Sequence, residues 1–462
     1  MTEVEQIAAF AARARYEDIS GRGREQLKIR VLDSIGCALG ALGAPPAQRV
    51  RAQTMDFGGN PLCTLIGTDT KTAPDRAAFF NGALVRYLDF NDSYLAKGET
   101  CHPSDNLAPV LAAAEYANAS GKNFLIALAV AYQVHTRLSD EAAVRARGFD
   151  HTTQGAYAVG AGIARALGLD PQRSAHAIAL SGVGNVALRV TRTGTLSQWK
   201  GLAYPNTAFI ATHAAFLAMR GVTGPLEVFE GNKGFKESVS GPYAVNWQNE
   251  DLERVSRTII KKYNAEIHAQ PVIEAALDLQ NQHKFTAGEI ARIEAETFDV
   301  AYNIIGGGEE GSKTVVLTKE QADHSLPYMI AAALCDGALL PPQYEPQRIV
   351  AKDVQDLLRR VTIKPCADFS ARFPAQMPCR VAITLRNGAR FETEKNDYEG
   401  FHTRPMTWDS VLKKFRYLGG ARAPAEVLDS IAGAIFNLEH IESRGLTALL
   451  SKIPCPEQQE GS

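Results

Sequence analysis

The 462-residue chain is 45% hydrophobic and 22% charged, with a formal net charge of −2. That is a globular composition, and it leaves no basic field to attract nucleic acid or an anionic membrane. The length exceeds one small core and predicts two or three domains, or one large and one small. No apolar run reaches the roughly eighteen residues of a membrane span, and the amphipathic N-terminus MTEVEQIAAFAARARYEDIS has the pattern of neither a signal peptide nor an anchor. Cys37, Cys63, Cys101, Cys335, Cys366, Cys379 and Cys455 are odd in number and form no CxxC. This argues against a zinc ribbon or a disulfide framework and fits a reducing cytoplasm.

Up to about residue 290 the pattern is helical. QLKIRVLDSIGCALGAL carries apolar residues at helical spacing, NLAPVLAAAEYANASGK predicts a helix that stops near Gly121, and KNFLIALAVAYQVHTRLSD predicts the next. GAYAVGAGIARALGLD ends at Gly168, and Asp170-Pro171 restarts the chain with a capping acid and a proline at the first helical position. PNTAFIATHAAFLAMRG repeats the pattern, with Pro205 early and Gly221 after the end. The Ala- and Gly-rich faces predict a closely packed helical bundle. Beyond it, ARIEAETFDVAYN, RRVTIKP and CRVAITLRNGARFETEKND predict strands, the last a hairpin about Asn387-Gly388. Helices are expected between them at DHSLPYMIAAALCDGAL and AKDVQDLLRRV. From MTWDSVLKKFRYLGG the chain is helical again and is expected to rejoin the first domain.

The candidate chemistry lies in short polar stretches at helix entrances. Asp89, Asp92 and His102 stand in a segment too polar to be core, ahead of an apolar helix. The ordinary alternative is a solvated connector. His151 precedes another helix, where its charged form is disfavoured and a neutral base is suited. The alternative is capping by Asp150, Thr152 or Thr153. Arg189, Arg192 and Lys200 in RVTRTGTLSQWKGLAYPN suggest a carboxylate-binding loop, with Trp199 placed to desolvate the ammonium, against the alternative of an exposed basic loop. His268, His324 and Tyr328 occupy further helix entrances. His176 and His213 fall in apolar helical patterns and are expected in the core, while His283 and His440 read as surface. No phosphate loop, HExxH or acidic metal cluster is present, so the expected chemistry is cofactor-free and metal-free proton transfer on an anionic small molecule.

With these segments in hand, the chain resembles the MmgE/PrpD family of 2-methylcitrate dehydratases and cis-aconitate decarboxylases. The resemblance runs end to end and rests on VLDSIGCALG, FNGALVRYLDFND, CHPSDNLAPVLAAAE, GFDHTTQGAYAVGAG, LSQWKGLAYPNTAF, VFEGNKGF, YNAEIHAQPVIEAALDL, HSLPYMIAAAL and RPMTWDSVLKKF. It implies a mainly α protein: a large all-helical domain over residues 1–268, completed by 405–462, and a smaller α+β lid over 269–404. It also implies a homodimer, and a tri- or dicarboxylate bound between the domains. Catalytic positions fall on Asp89, His102, His151, Lys200 and Tyr328. Asp92, Arg189, Arg192, His268 and His324 are the candidates for substrate binding. The segment 302–315, YNIIGGGEEGSKTV, is the expected flap. The GFDH and AEIHAQ forms are nearer the dehydratase branch. Arg86 stands where a histidine is common, Asn91 where a second acid is usual, and Phe209 at a frequently basic position. The expected reaction is dehydration of a 2-methylcitrate-like 3-hydroxy tricarboxylate. Decarboxylation and epimerisation are the enzymatic alternatives, and a helical scaffold whose histidines only cap helices is the non-enzymatic one.

Overall fold

A computed structural model describes residues 1–194 and 196–454, so Cys455 lies outside the described residues. The protein is mainly α, with a small mixed sheet in its C-terminal part. It divides into two compact units. The first comprises Met1–Arg192, Gln198–Thr258 and Thr407–Ser462, the second Thr193–Ser197 and Ile259–Met406. Among the described residues no helix is long and apolar enough to cross a membrane.

The helices of the first unit are α1 (Glu3–Arg13), α2 (Gly21–Ala41), α3 (Pro45–Phe57), α4 (Pro74–Tyr87), α5 (Leu107–Ala117), α6 (Gly121–Glu141), α7 (Thr152–Ala166), α8 (Pro171–Val183) and α9 (Trp199–Met219). The C-terminal helices Trp408–Gly419, Ala425–Phe436 and Ser443–Leu450 follow. Packing runs α6 on α7, α7 on α8, α8 on α9 and α9 on α4, and Trp408–Gly419 lies on α2. Small residues permit these approaches: a Cβ at Gly162 would sit 2.8 Å from that of Ala131. The Asp170 carboxylate caps α8 by accepting from the Arg173 N–H, with Pro171 first in the helix, as the sequence predicts.

Three local expectations change. The helix at 107 ends at Ala117, where Asn118 takes the left-handed conformation (φ 47°), and Gly121 instead opens α6 behind the Ser120 cap. Asn tolerates that conformation better than most residues, so it stops the helix first. α9 begins six residues before Pro205, which therefore lies inside the helix and gives up a backbone hydrogen bond there. The first unit is also not all-helical. It holds two short antiparallel ladders, β1 (Cys63–Thr64) with β2 (Lys71–Thr72), and β3 (Tyr94–Ala96) with β4 (Glu99–Cys101). The second of these shapes the site.

In the second unit, β5 (Ile290–Thr297), β6 (Val361–Pro365), β7 (Cys379–Leu385) and β8 (Arg390–Lys395) form a sheet ordered β6-β5-β7-β8. β5 pairs parallel to β6, and the other pairs are antiparallel. Alternation on β5 and β7 turns Ile293, Ala295, Val381 and Ile383 into a core shared with helices Gln270–His283 and Leu326–Asp336. The predicted β7–β8 hairpin turns through Gly388 at φ 89°, a conformation that favours glycine.

Candidate active site

The polar segment ahead of α5 is not a solvated connector. Asn91, Asp92 and Ser93 are fully buried, and Asp89 and His102 nearly so. The β3–β4 hairpin explains how. Tyr94 pairs with Cys101, so the chain just outside the ladder brings His102 back against Asp92 and Ser93. His102 Nδ1 lies 2.8 Å from the Asp92 carbonyl oxygen and 3.1 Å from Ser93 Oγ. A carbonyl only accepts, so Nδ1 carries a proton, and in the neutral ring the basic nitrogen is Nε2. The backbone at His102 (φ −122°, ψ 87°) is the extended form required before Pro103. The Asp92 carboxylate is used internally: Oδ1 accepts from the Ser104 N–H at 2.9 Å and Oδ2 from the Tyr132 hydroxyl at 2.9 Å. Burial pushes its pKa up, against those hydrogen bonds. Asp92 therefore shapes the His102 turn, and both its oxygens are committed within the protein.

Asp89 closes α4 in the left-handed region (φ 53°), an uncommon conformation outside glycine. Its carboxylate lies between two cations, with Arg86 Nη1 at 2.7 Å from Oδ1 and Lys200 Nζ at 3.2 Å from Oδ2. Arg86, Asn91 and Asp105 extend the cluster. Asn91 Nδ2 donates to Asp105 Oδ1 at 3.0 Å, and Asp105 Oδ2 lies 3.6 Å from Arg86 Nε. Burial pushes the Asp105 carboxyl up to about 7, against the pull of Arg86 and Arg192. Lys200 opens α9 and is buried, whereas Trp199 is 46% exposed and does not shield the ammonium. The underlying Phe90 carbonyl accepts from Lys414 Nζ at 2.7 Å, and that ammonium pairs with buried Asp33 at 2.7 Å.

His151 stands at the entrance to α7, its ring 5.5 Å from that of His102 and edge to face with it. Asp150 performs the capping, accepting from the Thr152 N–H at 3.2 Å. Neither ring nitrogen of His151 has a hydrogen-bond partner among the described residues, and Asp150 Oδ1 approaches Nε2 only to 3.9 Å. Burial drives the His151 pKa well below its usual value, and Asp150 opposes this incompletely, so the ring is neutral. The predicted carboxylate-binding arginines are directed elsewhere. Arg192 Nε lies 2.6 Å from Asp150 Oδ2, and Arg189 Nη1 lies 3.9 Å from the same oxygen. Although burial pushes the Asp150 carboxyl up, Arg192, His151 and Arg189 hold it well below the usual range.

The remaining candidates belong to the second unit. His268 Nδ1 lies 2.8 Å from Glu266 Oε1, while its buried Nε2 has no hydrogen-bond partner among the described residues. Burial works to raise the Glu266 pKa, but His268, His324 and Lys261 bring it down to about 2. His324 Nδ1 pairs with Asp323 Oδ1 at 2.7 Å. Tyr328 is a core side chain: it is fully buried, its hydroxyl donates to the Gln343 carbonyl, and burial raises its pKa. This geometry does not offer it as an acid. Of the other histidines, His283 and His440 are exposed as expected, but His213 is exposed and His176 half-buried rather than core. The surrounding residues of α9 are apolar, but the face carrying His213 turns outward. Phe209 packs on Phe79 (6.1 Å) rather than joining this cluster.

Sequence reasoning missed His135, Asn106 and Tyr204. All three are buried, and their rings and amide lie among those of His102 and His151. His135 sits mid-helix in α6. The one available signal was a histidine spaced with Gln133, Thr136 and Ser139 inside an otherwise apolar helix.

Fold and site together define a helical protein that buries neutral imidazoles beside a lysine–carboxylate–arginine cluster, an arrangement suited to moving protons next to a carboxylate. The chain belongs to the MmgE/PrpD family. Residues 5–248 match the MmgE/PrpD N-terminal domain and residues 263–458 the MmgE/PrpD C-terminal domain. It is 26% identical to mouse (Mus musculus) cis-aconitate decarboxylase over 94% of the chain and 90% of that protein. It is 29% identical to the 2-methylcitrate dehydratase of Cupriavidus necator, over 93% and 92%. The identity to that of Escherichia coli K12 is also 29%, over 81% of each.

Proposed function

We propose that the protein is a cofactor-free lyase that dehydrates a 2-methylcitrate-like 3-hydroxy tricarboxylate to the conjugated alkene. The observation that carries this reading is the oriented His102: Nδ1–H is held by the Asp92 carbonyl, which makes Nε2 the basic nitrogen of the neutral ring, and the same unit holds Lys200 and Arg86 on either side of Asp89. Nε2 removes the proton from the carbon next to a carboxylate. Lys200 and Arg86 offset the charge that builds on that carboxylate. The proton then passes from His102 to the departing hydroxyl, so that water leaves and the ring returns neutral. Asp89 holds the Lys200 ammonium in place, and His151 presents a second neutral imidazole to the substrate. His268 and His324 are proposed as further substrate contacts. The protein is further proposed to be a homodimer through its helical unit, and a clean monomer by light scattering at micromolar concentration would contradict that.

The second reading is decarboxylation of a cis-aconitate-type acid, supported by the alignment to the mouse decarboxylase over 94% of this chain. Incubation with 2-methylcitrate, citrate, cis-aconitate and malate-type acids separates the two. Dehydration gives rising absorbance of a conjugated alkene without carbon dioxide, and decarboxylation releases carbon dioxide. Absence of both from the whole panel would reject the lyase reading.

A further inference from the structure

Beneath the two site histidines lies a buried polar group that the reaction itself does not use. Asn106 closes the turn that begins at Pro103, and its Nδ2 donates to the Pro103 carbonyl at 2.9 Å. A carbonyl only accepts, so the amide orientation is fixed, and Oδ1 accepts from the Tyr204 hydroxyl at 2.8 Å. The same Nδ2 lies 3.3 Å from His135 Nδ1, which must then accept, leaving the His135 proton on Nε2. Burial pushes the His135 pKa down to about 3, so the ring is neutral. The backbone of His151 opposes that shift only in part. The rings interleave: His135 lies 6.2 Å from His151 and 5.7 Å from Tyr204, and Tyr204 lies 6.3 Å from His151. A Cβ at Gly155 would stand 2.4 Å from the Tyr204 ring, so the glycine makes the seat for it.

We infer that Asn106, His135 and Tyr204 are positioning residues that join the turn carrying His102 to the ring of His151 and thereby fix the spacing of the two site histidines. The inference rests on the reading that those histidines act on substrate. Asn106 grips the residue next to His102, the His135 ring lies 6.2 Å from that of His151, and Tyr204 packs against His135 and His151 while its hydroxyl bonds Asn106. A buried, interlocked network of this kind is stiff, and a misplacement of about 1 Å at a reacting group costs on the order of a hundredfold in rate.

The test uses nitrogen-15 histidine spectra of the full chain, together with kcat and KM, for wild type, Asn106→Asp and His135→Asn. In the wild type, His135 is expected as the neutral Nε2–H tautomer and His102 as Nδ1–H. Asn106→Asp replaces the donor with an acceptor. It should switch His135 to Nδ1–H or protonate it, shift the His102 or His151 resonances, and lower kcat about tenfold to a hundredfold with little change in KM. His135→Asn keeps an acceptor near Nδ1 but loses the ring packed on His151, and it should lower kcat in the same sense. Wild-type kcat in both folded variants would overturn the inference, as would His135 found as Nδ1–H in the wild type. Loss of activity with His102 and His151 resonances unmoved would overturn it too. The spectra need no substrate, so they judge the network even where the acid panel gives no turnover and the lyase reading fails.

Discussion

His102 and His151 meet edge to face with ring centroids 5.5 Å apart, and their hydrogen bonding differs in kind. His102 is held through Nδ1 by a backbone carbonyl, whereas His151 has no hydrogen bond at either nitrogen among the described residues. Leaving a buried polar atom unsatisfied costs about 1–3 kcal/mol. Native proteins keep few such atoms, and those that persist mark positions completed by something else. On the proposed reading that completion is a carboxylate or hydroxyl of the bound acid, paired with a neutral ring N–H.

If His102 is the base and Lys200 the charge stabiliser, His102→Ala and Lys200→Ala should each lower turnover by roughly a hundredfold or more. Both side chains are nearly buried, so thermal unfolding must accompany the kinetics. Near-normal turnover in both variants would move the chemistry away from this cluster.

Asp92 makes the opposite prediction. Asp92→Ala should act on stability first, because it strands the Ser104 N–H and the Tyr132 hydroxyl, at about 1–3 kcal/mol each. Asp92→Asn retains the acceptor for one of them and should lose less. Urea unfolding of the two variants checks the order. A raised KM with unchanged stability would instead return Asp92 to the substrate.

Periodicity in the sequence was enough to find the helices and the β7–β8 hairpin, because 3.6- and 2-residue patterns survive wherever one face is buried. It was enough to nominate Asp89, His102, His151 and Lys200, whose polar types interrupt apolar runs. Directions were not legible. Arg192 and Arg189 read as free cations, yet they turn inward to Asp150, and nothing in residue type distinguishes a cation aimed at a ligand from one aimed at a buried carboxylate. The three-residue ladders β3 and β4 are too short to carry a period, so the hairpin that returns His102 to Asp92 was invisible. His135 was overlooked because a lone histidine in an apolar helix has no sequence feature that separates packing from positioning.

The acid side of the stability profile should report His135. Unfolded, it takes up a proton below about pH 6.5. Folded, it resists protonation down to about 3 because of burial. Between those values the unfolded state binds the extra proton, so this group's contribution is present above pH 6.5 and is lost as pH falls, at about 1.4 kcal/mol per pH unit. His135→Gln lacks the titration. The stability of the wild type relative to this variant should therefore decline steadily from pH 6.5 toward 4 in denaturant melts. A difference independent of pH would mean that His135 protonates normally in the folded protein.

Asp150 and Arg192 give the sharpest separation of structural from substrate roles. Asp150 is fully buried, and Arg192 is its 2.6 Å partner, with Arg189 more distant at 3.9 Å. Removing one member of a buried pair leaves an uncompensated charge, at a cost of about 3–5 kcal/mol. Arg192→Ala should therefore unfold at markedly lower urea, and Arg189→Ala should lose about 1 kcal/mol at most, since its side chain is partly exposed. Adding Asp150→Asn to Arg192→Ala should restore part of the loss, because the stranded charge is gone. Any effect on turnover should follow through His151, the next residue along the chain, and appear in kcat. If Arg192→Ala instead kept wild-type stability while KM rose about tenfold, the guanidinium would be gripping the substrate, and the carboxylate-binding loop first suggested by RVTRTGTLSQWK would be reinstated.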